Sequence, residues 1–288
     1  MIDYFGFPTR SIENQFLRLD CLVTIGPRLV RLVPAGTETN LLAETPDIFW
    51  DTPFGVYHVR GGHRLWAAPQ DDVRTAIPDN TPLQIEELPS GLRLMQPPEA
   101  PTGLAKTIEI YLHPRQAALK LTHTLTNRGV WPVELSPWAI TQLPHGGTHI
   151  VPLHDPRQDI DRNQPNRMVT LWPYARWDDP RLKISQDFLS VKAMPGVAEF
   201  KVGTTNQIGW AGYLREGFFL CKRFTPFPGL YPDGGSNTEI FVNDRFTELE
   251  TLGPLVRLVP GETVMHVEEW QVYQQPDFPD FLPLQFIK

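Results

Sequence analysis

An all-β fold is what this sequence predicts, and three observations carry that reading. The 288 residues include 30 prolines and 21 glycines, with proline at about twice its ordinary usage of roughly 5%, and these residues punctuate the chain into short segments. Between them, apolar residues recur with a period of two. No stretch sustains the 3.6-residue period of a long helix. With 41% hydrophobic residues the chain can bury a core large enough for one big β domain or two smaller ones. We read 1–288 as a single domain, with its core at 15–273 and the proline-rich 274–288 as an extended strap.

In chain order, the first block runs from Gln15 to Glu44. There FLRLDCLVTI, a Gly26-Pro27 turn, RLVRLVPAG and TETNLLAE read as strands of a β-meander. DIFWDTPFGVYHVRGGHRLWAAPQ is aromatic, turn-rich and aperiodic, a loop entering a short buried strand. PDNTPLQIEELPSGLRL is a hairpin about Pro-Ser-Gly. A cleaner hairpin pairs KTIEIYLH with ALKLTHTLTN across Pro114-Arg115-Gln116, and Asn127-Arg128-Gly129 turns the chain into VWPVELSPWAITQL. Residues 156–180 form a long polar and aromatic excursion of the kind that tends to be functional. Trp172, Tyr174 and Trp177 either offer a sugar-stacking platform there or anchor the loop. FKVGTTNQIGWAGYLREGFFLCKRF reads as a hairpin carrying Lys201, Trp210 and Lys222. A Pro-Asp-Gly-Gly turn then leads into Thr238–Tyr273, the clearest alternation in the chain and the stretch around which the rest is organised.

Within that stretch Phe246, Glu248, Glu250 and Leu252 point one way, and Thr247, Leu249 and Thr251 the other. Two carboxylates therefore stand side by side, with Cα atoms about 6–7 Å apart. That spacing suits a polar cleft and equally a solvated sheet face. After the Pro260-Gly261-Glu262 turn, Val264, His266, Glu268, Trp270 and Val272 share a face. Upstream, Gly61-Gly62 permits positive φ or a close backbone approach and presents His63 and Arg64. The Arg64 fork either holds ligand oxygens or stacks on Trp66 or Tyr57 and pairs with an acid. GGHRLW has neither the glycine spacing nor the strand-to-helix context of a phosphate loop. His123, in line with Leu119, Leu121 and Leu125, reads as a hydrogen-bonded core residue.

A net charge of −7 and a pI near 5.6 argue against nucleic acid or an anionic membrane surface as partner, and favour a neutral or cationic small molecule. Cys21 and Cys221 lack the spacing of a disulfide framework or a thiolate zinc site, which suggests a reducing compartment. The first residues show no basic-then-apolar signal pattern, and no run approaches the roughly 18–20 apolar residues of a membrane helix. The expected location is the cytoplasm. His145, His149 and His154 are the one histidine cluster, but their spacing matches neither a His-x-His pair nor HExxH. Neither metal nor other cofactor is expected.

Several segments together resemble one pattern. GPRLVRL…NLLAE, GGHRLWAAP, PDNTP, LSPWAITQLPHGG, the KVG…N…GW…GY segment, YPDGGSNTEIF and ELETLGPLVRLVPGETVMHVEEW are similar to the DUF4380 proteins over roughly 15–273. That family in turn resembles the galactose mutarotase-like superfamily, the aldose 1-epimerases and their relatives. The resemblance implies a β-supersandwich of two large, mainly antiparallel sheets with a sugar site. Leu249-Glu250-Thr251 is similar to the mutarotase Leu-Glu-Thr, which implies that Glu250 is a general base. Arg64 lies where an early substrate-binding Arg is expected. Trp66, Trp138, His145, Lys201, Trp210 and Glu248 are further candidate ligand contacts, chosen from the residues themselves and not carried over from the resemblance. The mutarotase general-acid His has no counterpart in Ser136-Pro137-Trp138-Ala139-Ile140-Thr141, and the Leu-His-Gly-Gly motif is absent.

Opening a hemiacetal ring requires a base on the anomeric hydroxyl and an acid on the ring oxygen. With Glu250 as base, His63, His145 or His266 would have to be the acid, since their ordinary pKa near 6.5 suits the task. Three functions stay open at this point: an epimerase acting on a sugar, a sugar-binding protein without catalysis and, behind these two, a histidine-dependent metalloenzyme.

Overall fold

The computed structural model describes residues 3–153, 163, 165–195 and 198–274. Two large antiparallel sheets make up most of it. Across the first, the strands run Asp3–Tyr4, Phe7–Glu13, Leu17–Leu22, Leu29–Pro34, His63–Ala68, Val133–Leu143, Thr247–Leu252, Thr238–Val242, Phe200–Thr204 and Val169–Leu171, and Val256–Leu258 pairs alongside Val133–Leu143. Across the second run Leu182–Ile184, Phe188–Lys192, Thr148–Pro152, Trp210–Arg215, Phe218–Phe224, Thr263–Gln274, Ala118–Asn127, Leu104–Leu112, Gly91–Met95 and Gln84–Leu88. Among the described residues no helix is long and apolar enough to cross a membrane.

The stretch Thr238–Tyr273 organises both layers. Thr247–Leu252 is a central strand of the first sheet and Thr263–Gln274 of the second. Their facing sides meet between the sheets, where Leu249 and Trp270 join Leu19, Leu32, Leu65 and Leu121 in one apolar core. Each such leucine contributes about 1.5–3 kcal/mol by leaving water.

Three local expectations are corrected. TETNLLAE is a turn leading into a strand at Glu44, and the segment expected as a loop is a hairpin, Glu44–Thr52 with Gly55–Gly61. Aromatic pairs close it, with Trp50 and Tyr57 ring centroids 4.8 Å apart. The expected hairpin at 200–224 is split, because Phe200–Thr204 belongs to the first sheet and Trp210–Arg215 to the second. Asn206 makes that crossing by accepting from Gly209 N at 3.0 Å and donating to the Trp210 carbonyl at 2.7 Å, with Gly209 in the left-handed region at φ +82°. The strap at 275–288 lies outside the described residues.

A polar layer pins the two sheets together. The Lys222 ammonium, fully buried, donates to Thr141 Oγ1 at 2.8 Å and to the Leu249 carbonyl at 3.0 Å, and pairs with Glu268 Oε1 at 2.8 Å. Thr251 Oγ1 and Trp270 Nε1 also donate to Glu268. The histidines continue the network with one self-consistent set of protons. His123 Nδ1 donates to the His266 carbonyl at 3.0 Å, so its Nε2 accepts from His63 Nε2 at 2.7 Å. His63 Nδ1 then accepts from the Thr141 hydroxyl at 2.9 Å. His266 Nε2 donates to the Thr251 hydroxyl at 2.7 Å.

His149 stands in the same inter-sheet space. Thr247 Oγ1 donates to the Phe241 carbonyl and therefore accepts from His149 Nε2 at 2.6 Å. Burial, reinforced by Lys222, pushes the His149 imidazole down to about 3. The unfolded chain takes up this proton below about pH 6.5 and the folded chain resists it. The contribution is therefore complete above pH 6.5 and is lost as pH falls towards 3. His149→Gln keeps a donor for Thr247 but does not titrate. Wild type should lose stability relative to this variant by up to about 1.4 kcal/mol per pH unit between pH 6 and 4. Urea unfolding across that range measures the difference, and a difference independent of pH would refute it.

Candidate functional site

The face of the first sheet turned away from the second is where the site is built. Alternation and register bring its side chains into cross-strand rows. In one row Arg64, Ile140, Glu250 and Glu239 are successive partners; in the next, Gln142, Glu248, Phe241 and Lys201; and Trp66 pairs with Trp138. Two glycines permit the arrangement. Gly62, at φ +75°, lies so close to the Leu29 carbonyl that a Cβ would come within 2.1 Å of it, and it sets the strand that carries Arg64 and Trp66. Gly203 leaves this face bare, so that Ser236 and Trp172 pack against it; a Cβ there would meet Ser236 Oγ at 2.3 Å.

Above these rows lies a cleft of about 910 Å³. Trp66, Trp138 and Trp172 line it with Arg64, Gln142 and Lys201. Trp50, from the Glu44–Gly61 hairpin, and Tyr174 form part of its walls. Arg64 Nη2 donates to Glu248 Oε1 at 3.0 Å, and Gln142 Nε2 donates to the same oxygen at 3.0 Å. The Arg64 guanidinium also stacks 4.4 Å from the Trp66 ring centroid. The stacked, acid-paired reading of Arg64 is the one this geometry matches. The Lys201 ammonium sits 4.7 Å from Trp138 and 4.6 Å from Trp172, against Glu239 at 2.7 Å and Glu250 at 3.0 Å.

Glu250 lies one layer behind the cleft and is fully buried. Its Oε2 accepts from Trp138 Nε1 at 2.7 Å and from Lys201 Nζ at 3.0 Å. The solvated-face alternative for Glu248 and Glu250 does not hold, since both are buried. Burial pushes the Glu248 carboxyl upward, with Glu250 adding to it and Arg64 working against it. Glu239 is raised more strongly, by burial and by the neighbouring Glu250 and Asp233, despite Lys201. Burial disfavours the Lys201 charge, but Glu239 and Glu250 more than offset that and hold it protonated.

Apart from the Lys201–Glu239 ion pair, six buried polar atoms of the site make no hydrogen bond among the described residues: Arg64 Nε and Nη1, Gln142 Oε1, Glu250 Oε1 and both carboxylate oxygens of Glu239. Unmade hydrogen bonds of buried groups cost about 1–3 kcal/mol each. The set holds two donor nitrogens and four acceptor oxygens, and of these residues Arg64 and Gln142 line the cleft.

His63 and His266, expected as candidate acids, do not face Glu250. His63 is the sequence neighbour of Arg64 and so points to the opposite side of the strand. His266 bonds Thr251, the neighbour of Glu250 on the inner face. Both are committed to the inter-sheet network. His145, in the turn after Val133–Leu143, does not line the cleft; neither does Trp210, which packs with Ile150 and Phe219 in the second sheet. His154 lies outside the described residues. The sequence reading missed Gln142, Glu239 and Asp233. Gln142 was available from the two-residue period that starts at Trp138. Glu239 needed the register that pairs it with Glu250.

His63, His123 and Glu268 bring potential metal-ligand atoms within 4.8 Å of one another. Their donor set suits zinc, but the His63–His123 Nε2 separation of 2.7 Å is that of a hydrogen bond; with Zn–N bonds of about 2.0–2.1 Å it would force an angle of about 80°. The Lys222 ammonium already neutralises Glu268. The residues as they stand do not fit a metal ion.

The two-sheet architecture is that of the galactose mutarotase-like supersandwich. A galactose mutarotase-like protein from Lactobacillus casei ATCC 334 superposes with a TM-score of 0.61 at 10% identity, over 92% of this chain and 100% of that one. A candidate aldose 1-epimerase from Escherichia coli K12 gives 0.58 at 14% identity, over 93% and 100%. A galactose mutarotase related enzyme from Lactobacillus acidophilus gives 0.52 at 9%, over 94% and 99%. At these identities the likeness is one of fold. No protein-family model and no curated protein sequence matches the chain, so the DUF4380 resemblance rests on its motifs.

Proposed function

We propose that this protein binds a carbohydrate in the cleft formed by Trp66, Trp138, Trp172, Arg64, Gln142 and Lys201. The observation that carries the reading is the coincidence of indole faces with buried, unpartnered donors and acceptors. Sugars present C–H faces to aromatic rings and hydroxyls that both donate and accept. The fold shared with mutarotase-like proteins supports the same class of ligand. Its surroundings are expected to be cytoplasmic, a reading supported by two free, buried cysteines.

A second reading, mutarotase-like ring opening with Glu250 as base, is favoured by the unpartnered Glu250 Oε1. In that reading the acid is a carboxyl of the raised Asp233–Glu239 group, because no histidine lines the cleft among the described residues.

Saturation-transfer NMR over a panel of free aldoses should report binding that Trp172→Ala weakens by about tenfold, a single stacking contact being worth about 0.5–1.5 kcal/mol beyond its area. Absence of binding by every aldose would sink the proposal. In the same samples, acceleration of α/β anomer exchange that disappears in Glu250→Gln would establish the catalytic reading; binding without acceleration would leave a binding protein.

A further inference from the structure

The aromatic residues of the cleft form two groups that the sheet itself sets apart. On one side are Trp50 and Trp66, both lining the cleft, with Tyr57 packed against each at ring-centroid distances of 4.8 Å and 5.5 Å. On the other are Trp172, 4.6 Å from the Lys201 ammonium, and Tyr174, in a turn closed by the Ala175 N–H donating to the Trp172 carbonyl at 2.9 Å. Between the strand of Trp66 and the strand of Lys201 run Val133–Leu143, Thr247–Leu252 and Thr238–Val242. That makes four inter-strand steps, about 19 Å at about 4.8 Å per step. Trp138 forms the floor between the two groups, 5.6 Å from Trp66 and 4.7 Å from Lys201.

The outer member of each group is exposed. Trp50 is 41% exposed and Tyr174 45%, against 8% and 2% for Trp66 and Trp138. Exposed aromatics scattered singly over a surface are ordinary, but these two line one cleft from separate walls. Trp50 is also held in place without a ligand. Its neighbour Tyr57 is buried and accepts from Arg28 Nη2 at 3.4 Å, and Arg28 and Arg60 both pair with Asp79 at 2.7 Å, which anchors the Glu44–Gly61 hairpin at its base. A stacking surface ordered in advance leaves less conformational freedom to be lost on binding. The volume agrees with a ligand longer than one ring. About 910 Å³ lies near the top of the roughly 300–1,000 Å³ range of small-molecule sites, and a single sugar ring, about as wide as the aromatic ring it stacks on, cannot reach both walls.

We infer that the cleft takes a linear oligosaccharide laid across the strands, with one unit on Trp50 and Trp66 beside Arg64 and Gln142 and another on Trp172 and Tyr174. The inference rests on the proposed carbohydrate site and adds the size of its ligand. Arg64 and Gln142, whose Nε, Nη1 and Oε1 atoms are buried without hydrogen bonds, belong to the first position, so hydroxyl recognition is concentrated there. The second offers ring surface, which rewards contact area over the pattern of hydroxyls.

Isothermal titration of the full chain tests this with matched sets, each monosaccharide against its linear di-, tri- and tetrasaccharides in the cello-, malto-, manno- and xylo-oligosaccharide series. In at least one series affinity should rise by about tenfold or more from mono- to trisaccharide, because the second unit engages its wall as an intramolecular step, and should level off once both walls are occupied. In Trp50→Ala and, separately, Tyr174→Ala, the trisaccharide-to-monosaccharide ratio should fall by about fivefold or more, with a thermal melt confirming that each variant is folded. Mono- and trisaccharide binding equally in every series, or a length-dependent gain that survives either substitution, would overturn the inference while leaving the carbohydrate site standing. If no member of any series binds, both fall.

Discussion

Lys222→Met is expected to lower stability by about 3–5 kcal/mol, the usual cost of removing one partner of a buried ion pair. The substitution keeps the length and apolar stem of the side chain and removes only the ammonium. Glu268, with no exposed surface, would then hold its charge beside neutral histidines, and the Leu249 carbonyl and Thr141 would lose a donor. Burial works against the Glu268 charge, but Lys222, the largest favourable contribution, helps hold this carboxyl well below the usual range, and the substitution removes it. Pairing Lys222→Met with Glu268→Gln should recover part of the loss, because the second change removes the orphaned charge. Urea unfolding followed by circular dichroism at pH 7 measures all three chains. A single-variant loss below about 1 kcal/mol, within the range of ordinary surface pairs, would show that the layer does not pin the sheets.

Arg64→Ala is expected to weaken binding of the preferred sugar by about 100-fold, corresponding to about 2.7 kcal/mol. Its guanidinium lines the cleft, stacks on Trp66 and carries the Glu248 contact, while its Nε and Nη1 are buried without hydrogen bonds. Losing the planar fork removes the hydroxyl donors and leaves Glu248 buried beside Gln142 alone. Arg64→Lys should rescue little, since an ammonium supplies charge without the fork geometry. Calorimetric titration reads the affinity, and a thermal melt of each variant separates lost binding from lost folding. Full affinity in Arg64→Lys would assign Arg64 a purely electrostatic role.

Much of the site was legible as local pattern. Glu248 and Glu250 stand two apart on an alternating strand, and Gly61-Gly62 marks the bend before Arg64 and Trp66. Each of these follows from backbone periodicity or φ preference, which neighbours in sequence determine. The failures were of a different kind. His266 and Glu250 belong to one organising stretch, yet they occupy opposite sides of a sheet because their strands enter different layers. Lys201 and Trp210, nine positions apart, were read on one hairpin and are divided between the two sheets by the Asn206–Gly209 crossing.

The sequence by itself determined the all-β class, the short strands and their punctuation, and which residues share a side of each strand. A period of two is a property of the extended backbone and needs no partner. Tertiary structure alone decided which side of each strand is covered by the other sheet and which opens into the cleft. It also brought together residues as distant as Arg64 and Glu248, and gave His63, His123 and His266 their structural bonds to Thr141, Thr251 and the chain itself. Those outcomes depend on the order in which strands join a sheet and on the burial that follows, quantities that no local window of the chain contains.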